Sequence, residues 1–199
     1  EKDKFVNGAL KQGFSKDIAE EVFQLIEPFA GYAFNKAHSI SYAMIAYWTA
    51  YFKANFPQEY MTSVMNAHTG QSDKISTDVT ECLRLGIQVL LPDINRSEVN
   101  FSIDLDTNGN NAIRYGLSSV KNVGLASVQP LIEERKLNGS FKSLEDMCRR
   151  ANLGSINRKS LESLIKGGSL DSFGNRGSLV NSSDIILSLI FISSGPKNK

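Results

Sequence analysis

The 199-residue sequence has few of the residues that mark several common protein classes. Its two cysteines, Cys82 and Cys148, are far apart, which predicts free thiols in a reducing cytoplasm rather than the disulfide framework of a secreted domain. The two histidines have no metal-ligand spacing with these cysteines, so no zinc site is expected. The longest stretch without a charged residue, 37–52, is shorter than the ~20 residues that span a bilayer, so no membrane partner is expected.

A net charge of +1 excludes a strongly basic protein, yet the charges are unevenly distributed. Residues 57–113 carry 3 basic and 8 acidic side chains, whereas residues 114–176 carry 11 basic and 6 acidic ones. The neutral total therefore combines an acidic segment with a basic segment that favours phosphate. The first residue is not methionine and lies in a charged helical pattern, which predicts a fragment of a longer protein.

Apolar residues at three- and four-residue steps predict a mostly helical fold with one small β-element. Residues 2–29 fit two helices joined at "QGFS", with Ser15 as the N-cap of the second. Further helices are predicted at 37–55, at 57–67 and at 73–85, the last ending at Gly86. Three short strands are predicted in "IQVLLPDI", "EVNFSID" and "AIRYGL", and an Asn-Gly turn separates the last two.

Two other patterns are interpreted as structural rather than functional. Trp48 and Phe52 stand four residues apart and predict a buried stripe on the 37–55 helix. The same core role is expected for the other aromatic residues of this run, which are Tyr42, Tyr47, Tyr51 and Phe56. Asp104 and Asp106 alternate like a metal-binding pair but precede the "TNGNN" turn, which favours solvent-exposed residues beside the turn.

Residues 116–136 predict a helix-hairpin-helix unit: a helix at 118–121, the tight turn "NVG" and a second helix from Leu125. Such a hairpin presents backbone N–H groups at the start of the second helix, where the helix dipole favours a phosphate. Gly124 would let a DNA backbone approach closely, and the contact would not read sequence because it involves no base edge. The alternative is a simple turn between packed helices. The candidate DNA-binding residues are Lys121, Asn122, Val123, Gly124, Ala126 and Ser127.

Residues 153–165, "LGSINRKSLESLI", repeat the pattern of a turn followed by an amphipathic helix. A polar and basic stretch begins this helix, and its residues Asn157, Arg158 and Lys159 are further candidates for contacts with DNA. Two such units in a basic segment predict a tandem helix-hairpin-helix module that binds the backbone of duplex DNA. The second unit is the weaker match because it lacks a Gly-x-Gly hairpin.

Several separated segments, in the same order, resemble bacterial replicative DNA polymerases of the C family. The segment "GYAFNKAHSISYAMIAYWTAYFKANFPQEYMTSVM" resembles the fingers region, where a Phe-Asn-Lys-Ser-His stretch opens a comparable helix. Three further segments resemble later parts of these polymerases: "ECLRLGIQVLLPDINRSEVNFSI", "IRYGLSSVKNVG" and "NRKSLESLIKGGSLDSFG". The similarity covers about residues 5–180.

The resemblance implies a fragment of a DNA-directed DNA polymerase with three parts. Residues 1–111 correspond to the end of the fingers, residues 112–180 to the tandem helix-hairpin-helix region, and residues 181–199 to an unassigned tail. The implied partners are primer-template duplex, deoxynucleoside triphosphate and other replisome subunits. The family's catalytic aspartates and Mg²⁺ belong to the palm, which this chain lacks, so we expect no catalytic residue, no bound cofactor and no activity of the fragment alone.

The resemblance also assigns a role to the polar cluster that begins the 37–55 helix. Asn35, Lys36, His38 and Ser39 match the family's nucleotide-binding motif, although Ala37 replaces its usual serine. An ammonium group and hydrogen-bond donors at a helix start suit a triphosphate. The alternative is that Lys36 is a solvated residue and His38 a capping or packing residue.

Two other classes of function fit parts of the sequence. A stand-alone helix-hairpin-helix module would bind duplex DNA without chemistry, but it would not need the Asn35–Ser39 cluster. A structural scaffold for other subunits would leave its basic residues scattered rather than collected on one surface.

Overall fold

A computed structural model describes residues 1–29 and 35–194 of the chain. Residues 30–34, and residues 195–199 of the predicted tail, lie outside the described residues. The chain divides into two units, Glu1–Tyr51 and Phe52–Lys199, and each is described separately below. Within the described residues, helices predominate and the strands form one small sheet, as the sequence predicts.

The first unit begins with two helices, α1 (Lys2–Lys11) and α2 (Lys16–Ile26), and a 3₁₀ turn at Glu27–Phe29. The Ser15 hydroxyl accepts a hydrogen bond from the Ile18 amide at 3.4 Å, which confirms Ser15 as the N-cap of α2. Gly13 precedes this cap with a φ of +87°, a left-handed conformation that glycine adopts without steric cost. The predicted pair of helices joined at "QGFS" is therefore present.

Helix α3 (Lys36–Asn55) follows, and the prediction that its aromatic residues form core is wrong for this chain. Trp48 and Phe52 are each 50% exposed, and none of the residues of α3 is buried. Apolar side chains surround α3 rather than forming one stripe, since Ile40, Met44 and Ile45 are exposed as well. Spacing determines which side chains share a face, but burial needs a second element that covers that face.

The second unit begins with α4 (Pro57–Ala67) and α5 (Ser72–Arg84), and α5 ends as predicted before Gly86, which has a φ of +73°. The strands are β1 (Val89–Leu90), β2 (Ser102–Leu105) and β3 (Asn111–Arg114). Strand β3 lies in the centre, parallel to β1 and antiparallel to β2. The two helices and the sheet enclose a core of Met61, Met65, Ile75, Cys82, Ile87, Phe101 and Ile113.

Asp104 does not have the solvent-exposed role predicted beside the turn. Its carboxylate accepts hydrogen bonds from Arg96, at 2.6 Å, and from Arg114, which is only 7% exposed. Burial alone raises the pKa of Asp104, but hydrogen bonds from Arg114, the Leu105 amide and Arg96 outweigh this effect and lower it. Asp106 keeps its predicted place in the turn, where it accepts hydrogen bonds from the amides of Asn108 and Asn110.

The rest of the second unit is helical. Its helices are α6 (Leu125–Asn138), α7 (Leu144–Arg150), α8 (Arg158–Gly167), α9 (Arg176–Asn181) and α10 (Ser183–Ser194). They enclose a second core, to which the predicted tail contributes Ile186 and Ile190. The predicted boundary between residues 111 and 112 lies inside β3, and the structure does not divide the chain there.

Both cysteines are buried free thiols, as predicted, and burial raises the pKa of Cys82 and of Cys148 to about 11. Across residues 1–29 and 35–194, no helix combines the length and the apolar character needed to cross a membrane.

Candidate nucleic-acid interface

The first predicted hairpin begins with a 3₁₀ turn at Leu117–Ser119 and not with the α-helix predicted at 118–121. The amide of Leu117 donates to the Glu98 carbonyl and that of Ser118 to the Val99 carbonyl, both at 3.0 Å. These bonds join the segment to a distant part of the chain, and Val120 is already extended. An amide that pairs with a remote carbonyl does not continue a helix, which explains the difference.

The tight turn of this hairpin depends on Asn122. Its φ is +67°, the only positive φ among the described non-glycine residues, and asparagine tolerates this left-handed conformation. Gly124 is the N-cap of α6, with a φ of −95° and no side-chain cap. A Cβ added at Gly124 would meet nothing within 4 Å, so the start of α6 is open to an approaching group. The amides of Leu125 and Ala126 have no side-chain cap and are available as hydrogen-bond donors, whereas the Ser127 amide donates to the Gly124 carbonyl at 3.0 Å.

The second predicted turn also leads into a helix start, but that start is capped. The Asn157 side chain accepts a hydrogen bond from the Ser160 amide at 2.9 Å at the N-terminus of α8. The turn itself is closed by the Ile156 amide, which donates to the Leu153 carbonyl at 2.9 Å. The two turns therefore differ: α6 begins without a side-chain cap, whereas α8 begins with a side-chain cap and a basic first turn.

Hydrogen bonds join the two turns directly. The Ser160 hydroxyl donates to the Asn122 carbonyl at 2.7 Å, and the Asn122 amide group contacts the Ser163 hydroxyl at 3.2 Å. The Ser127 hydroxyl donates to the Ser155 carbonyl at 3.3 Å. The starts of α6 and α8 are thus held side by side. We call this surface the paired-turn surface; it comprises residues 120–127 and 153–160.

The predicted site residues have two kinds of position in the paired-turn surface. Val123 and Ser127 are 7% and 6% exposed, so their side chains support the turn from inside. Seven predicted residues are exposed: Lys121, Asn122, Gly124, Ala126, Asn157, Arg158 and Lys159. Sequence reasoning missed the serines that join the turns, Ser155, Ser160 and Ser163, because their partners lie 28 to 41 residues away in the chain.

The three basic side chains of the paired-turn surface are not equivalent. Arg158 forms ion pairs with Glu162 at 2.8 Å and with Asp184 at 3.0 Å, so nearby carboxylates partly balance its charge. Lys121 and Lys159 are exposed and form no ion pair in the part of the chain that the structure describes. The i, i+4 spacing of Arg158 and Glu162 was visible in the sequence, whereas the pair with Asp184 was not.

The polar cluster at the start of α3 lies in the first unit. The Asn35 side-chain oxygen accepts hydrogen bonds from the amides of Ala37, at 2.9 Å, and His38, at 3.3 Å, so Asn35 caps α3. The Ser39 hydroxyl donates to the Lys36 carbonyl at 2.9 Å. The ring of His38 lies 4.4 Å from that of Tyr42. Lys36 and His38 are exposed, while Asn35 and Ser39 already use polar atoms within the helix start.

Among the described residues, no group of three or more histidine, cysteine, aspartate or glutamate side chains has the geometry to hold a metal ion. His68 instead pairs with Asp78 at 2.7 Å between α4 and α5.

Comparison with known proteins shows a motif match and a set of similar proteins. The model of the helix-hairpin-helix motif matches residues 86–179. DNA polymerase III subunit alpha of Borreliella burgdorferi is 42% identical over 187 residues, which are 94% of this chain and 16% of that protein. The corresponding subunits of Thermus aquaticus and Escherichia coli (strain K12) are 39% and 40% identical, over 94% and 89% of this chain and 15% of each relative.

The chain thus spans about one sixth of the length of the curated relatives that it matches. The matches extend well beyond the helix-hairpin-helix residues and include most of the described structure. The chain is therefore similar, along about nine tenths of its own length, to one segment of DNA polymerase III alpha subunits.

Proposed function

We propose that this chain contributes to DNA-templated DNA synthesis by binding the backbone of the primer-template duplex through the paired-turn surface. The observation that carries the proposal is the hydrogen-bonded pairing of the two turns, which places the open start of α6 beside the basic first turn of α8. Free amides and the positive end of the helix dipole favour phosphate oxygens. Exposed Lys121 and Lys159 add charge at the same place.

Binding of this kind is indifferent to base sequence, which suits a replicative enzyme that copies every template. The chemistry of nucleotide addition, with its Mg²⁺ ions and their carboxylate ligands, is assigned to parts of a full-length subunit outside this chain. The relation to polymerase subunits along 94% of the chain favours this role over that of a stand-alone DNA-binding module.

A second role is proposed for the start of α3, where Lys36 and His38 contact the phosphates of an incoming deoxynucleoside triphosphate. Lys36 provides a full positive charge on an exposed side chain. Asn35 contributes mainly by capping α3, which fixes the direction of the helix start. The α3 amides that Asn35 caps are not available to the nucleotide, so the proposed contact depends on side chains.

The first test concerns Lys121. Replacing one lysine that contacts a phosphate lowers the steepness of log K against log salt by about 0.9. If the variant and the parent bind equally at 1 M salt, the variant therefore binds about eightfold more weakly than the parent at 0.1 M salt. We therefore expect Lys121→Ala to weaken duplex binding about eightfold in a fluorescence anisotropy titration at 0.1 M salt, equally for duplexes of different sequence.

Lys136→Ala is the matched control for this test. It removes the same charge from the other end of α6, about 17 Å from Leu125 at 1.5 Å per residue. This distance exceeds the screening length of about 10 Å at 0.1 M salt. Equal affinities of the two variants would contradict the assignment of Lys121 to the interface.

A second test concerns Lys36 and needs the full-length subunit that contains this segment. Lys36→Ala is expected to raise the KM for deoxynucleoside triphosphate about tenfold, because the lysine no longer attracts the triphosphate. The affinity for primer-template is expected to change less than twofold. Steady-state kinetics with varied nucleotide, together with a binding titration of primer-template, measures both quantities, and the reverse pattern would remove Lys36 from the nucleotide site.

A further inference from the structure

An ion pair connects the paired-turn surface to α10. The Nη1 atom of Arg158, the first residue of α8, lies 3.0 Å from a carboxylate oxygen of Asp184. Asp184 is the second residue of α10, in the segment that the sequence left unassigned. Its side chain is 73% exposed, and Arg158 is its only ion-pair partner in the part of the chain that the structure describes. The pair therefore places a negative charge beside a surface that is proposed to bind phosphates.

The position of Asp184 is fixed by the packing of its helix. Ile186 and Ile190 of α10 are 1% and 0% exposed and belong to the second core. Ser183, the residue before Asp184, is also buried, and its hydroxyl donates to the Val180 carbonyl at 2.7 Å. An aspartate has a short side chain, so little conformational freedom is lost when an anchored helix presents it to a cation. The start of α10 thus holds this carboxylate against Arg158.

A second carboxylate contacts Arg158, but its charge is shared. Glu162 accepts a hydrogen bond from the Nε atom of Arg158 at 2.8 Å, and its other oxygen accepts one from Lys166 at 3.0 Å. Both partners stand four residues from Glu162 on α8, so this group of three belongs to a single helix. Asp184 differs because it comes from another helix and pairs with Arg158 alone among the described residues. A carboxylate and a phosphate are alternative partners for the same guanidinium, since arginine binds both through anionic oxygens.

We propose that Asp184 competes with the duplex phosphates for Arg158, so that α10 limits the affinity of the paired-turn surface for DNA. The inference rests on the proposed function and concerns the regulation of the same site. While Arg158 pairs with Asp184, the surface binds the backbone through Lys121, Lys159 and the start of α6. When the pair opens, the guanidinium adds one phosphate contact. Such an exchange suits an enzyme that moves along a duplex, because a carboxylate that replaces the departing phosphate makes each contact easier to release.

The test removes the charge of Asp184 without changing the shape of its side chain. An exposed ion pair weakens a competing contact by at most about fivefold, so Asp184→Asn is expected to tighten duplex binding about two- to fourfold in an anisotropy titration at 0.1 M salt. The steepness of log K against log salt should rise by up to about 0.9, because one more phosphate is contacted. An aspartate that only stabilises the first turn of α10 would change neither quantity. Unchanged or weaker binding by a variant that circular dichroism shows to be folded would refute the competition.

Arg158→Gln in two backgrounds tests whether Asp184 acts through Arg158. In the parent, where Asp184 already engages the guanidinium for much of the time, we expect Arg158→Gln to weaken binding about two- to threefold. In the Asp184→Asn background the guanidinium is released, and the same substitution is expected to weaken binding about eightfold. This dependence on background is the coupling that a double-mutant cycle measures. Equal losses in the two backgrounds would show that Asp184 does not restrain Arg158 and would overturn the proposal.

Asp171→Asn is the matched control, because Asp171 is also exposed and pairs with an arginine, Arg176. Arg176 donates to the Lys166 carbonyl as well, so this pair lies near the end of α8, about 12 Å from Arg158 at 1.5 Å per residue. That distance exceeds the screening length of about 10 Å at 0.1 M salt, and we expect Asp171→Asn to change the Kd by less than 1.5-fold. Equal tightening by the two aspartate variants would assign the effect to net charge and sink the competition.

Lys121→Ala separates failure of this inference from failure of the proposed function. If Lys121→Ala weakens duplex binding while Asp184→Asn leaves it unchanged, the paired-turn surface stands and the competition is refuted. If Lys121→Ala, Arg158→Gln and Asp184→Asn all leave the Kd for duplex unchanged, or if the parent chain does not bind duplex, the proposed function fails and this inference fails with it.

Discussion

Replacing Lys121 and Lys159 together by glutamate is expected to weaken duplex binding by about 60-fold or more at 0.1 M salt. Two lost phosphate contacts lower the steepness of log K against log salt by about 1.8. If the variant and the parent bind equally at 1 M salt, this difference makes the affinity of the variant about 60-fold lower at 0.1 M salt. Repulsion between the introduced carboxylates and the phosphates adds to this loss. The two lysines are suitable because they are exposed and form no ion pair within the described residues.

A matched double variant tests whether position or net charge causes the effect. Lys136→Glu with Lys166→Glu makes the same charge change at the opposite ends of α6 and α8. We expect this control to weaken binding less than fivefold, with far-UV circular dichroism showing that both proteins are folded. If the two double variants lose affinity equally, duplex binding reflects the overall charge of the chain and the paired-turn surface is not its site.

The parts of the fold that local rules determine were predictable from the sequence. Ser15 and Pro57 define the starts of α2 and α4, and Gly86 follows the end of α5, because caps, fixed φ angles and positive φ angles act within one turn of helix. The Asn-Gly turn between β2 and β3 is predictable for the same reason, since Gly109 has a φ of +83°.

The parts that depend on remote partners were not predictable. The 3₁₀ turn at Leu117–Ser119 replaces the predicted helix because its amides bond to residues 98–99. The pairing of the two turns depends on Ser160 and Asn122, which are 38 residues apart. The repeated pattern predicts one tandem module, but a single sequence contains no signal for the serine hydrogen bonds that join its two turns.

The aromatic residues of α3 illustrate a different limit. Their spacing correctly indicates which side chains share a face, but they remain about half exposed in this chain. Helices that are apolar all round occur in the interior of large proteins, where neighbours on every side cover them. The chain spans about one sixth of the length of its relatives. The spacing of apolar residues within this segment therefore could not distinguish a helix face that is buried in a core from an exposed face that binds a partner.

Gly116→Ala is expected to be the most destabilising of the substitutions considered, although the φ of Gly116 is an ordinary −74°. A Cβ at this position would lie 2.3 Å from the Asn100 carbonyl carbon and 2.6 Å from the Val99 oxygen. Both atoms belong to backbone, so no side chain can rotate away. The segments must separate, which breaks the hydrogen bonds from Leu117 to Glu98 and from Ser118 to Val99.

We expect a loss of about 3 kcal/mol, since overpacking costs about 1–3 kcal/mol and each broken hydrogen bond about 1 kcal/mol. Hydrogen exchange should show lost protection at the amides of Leu117 and Ser118, and thermal unfolding of the second unit should shift down by about 10 °C. Gly124→Ala is the control, because its Cβ meets nothing within 4 Å and its φ of −95° suits alanine. Equal stability of the two variants would show that the close approach of segments 97–100 and 115–118 does not position the first turn. The serine hydrogen bonds alone would then have to hold the paired-turn surface together.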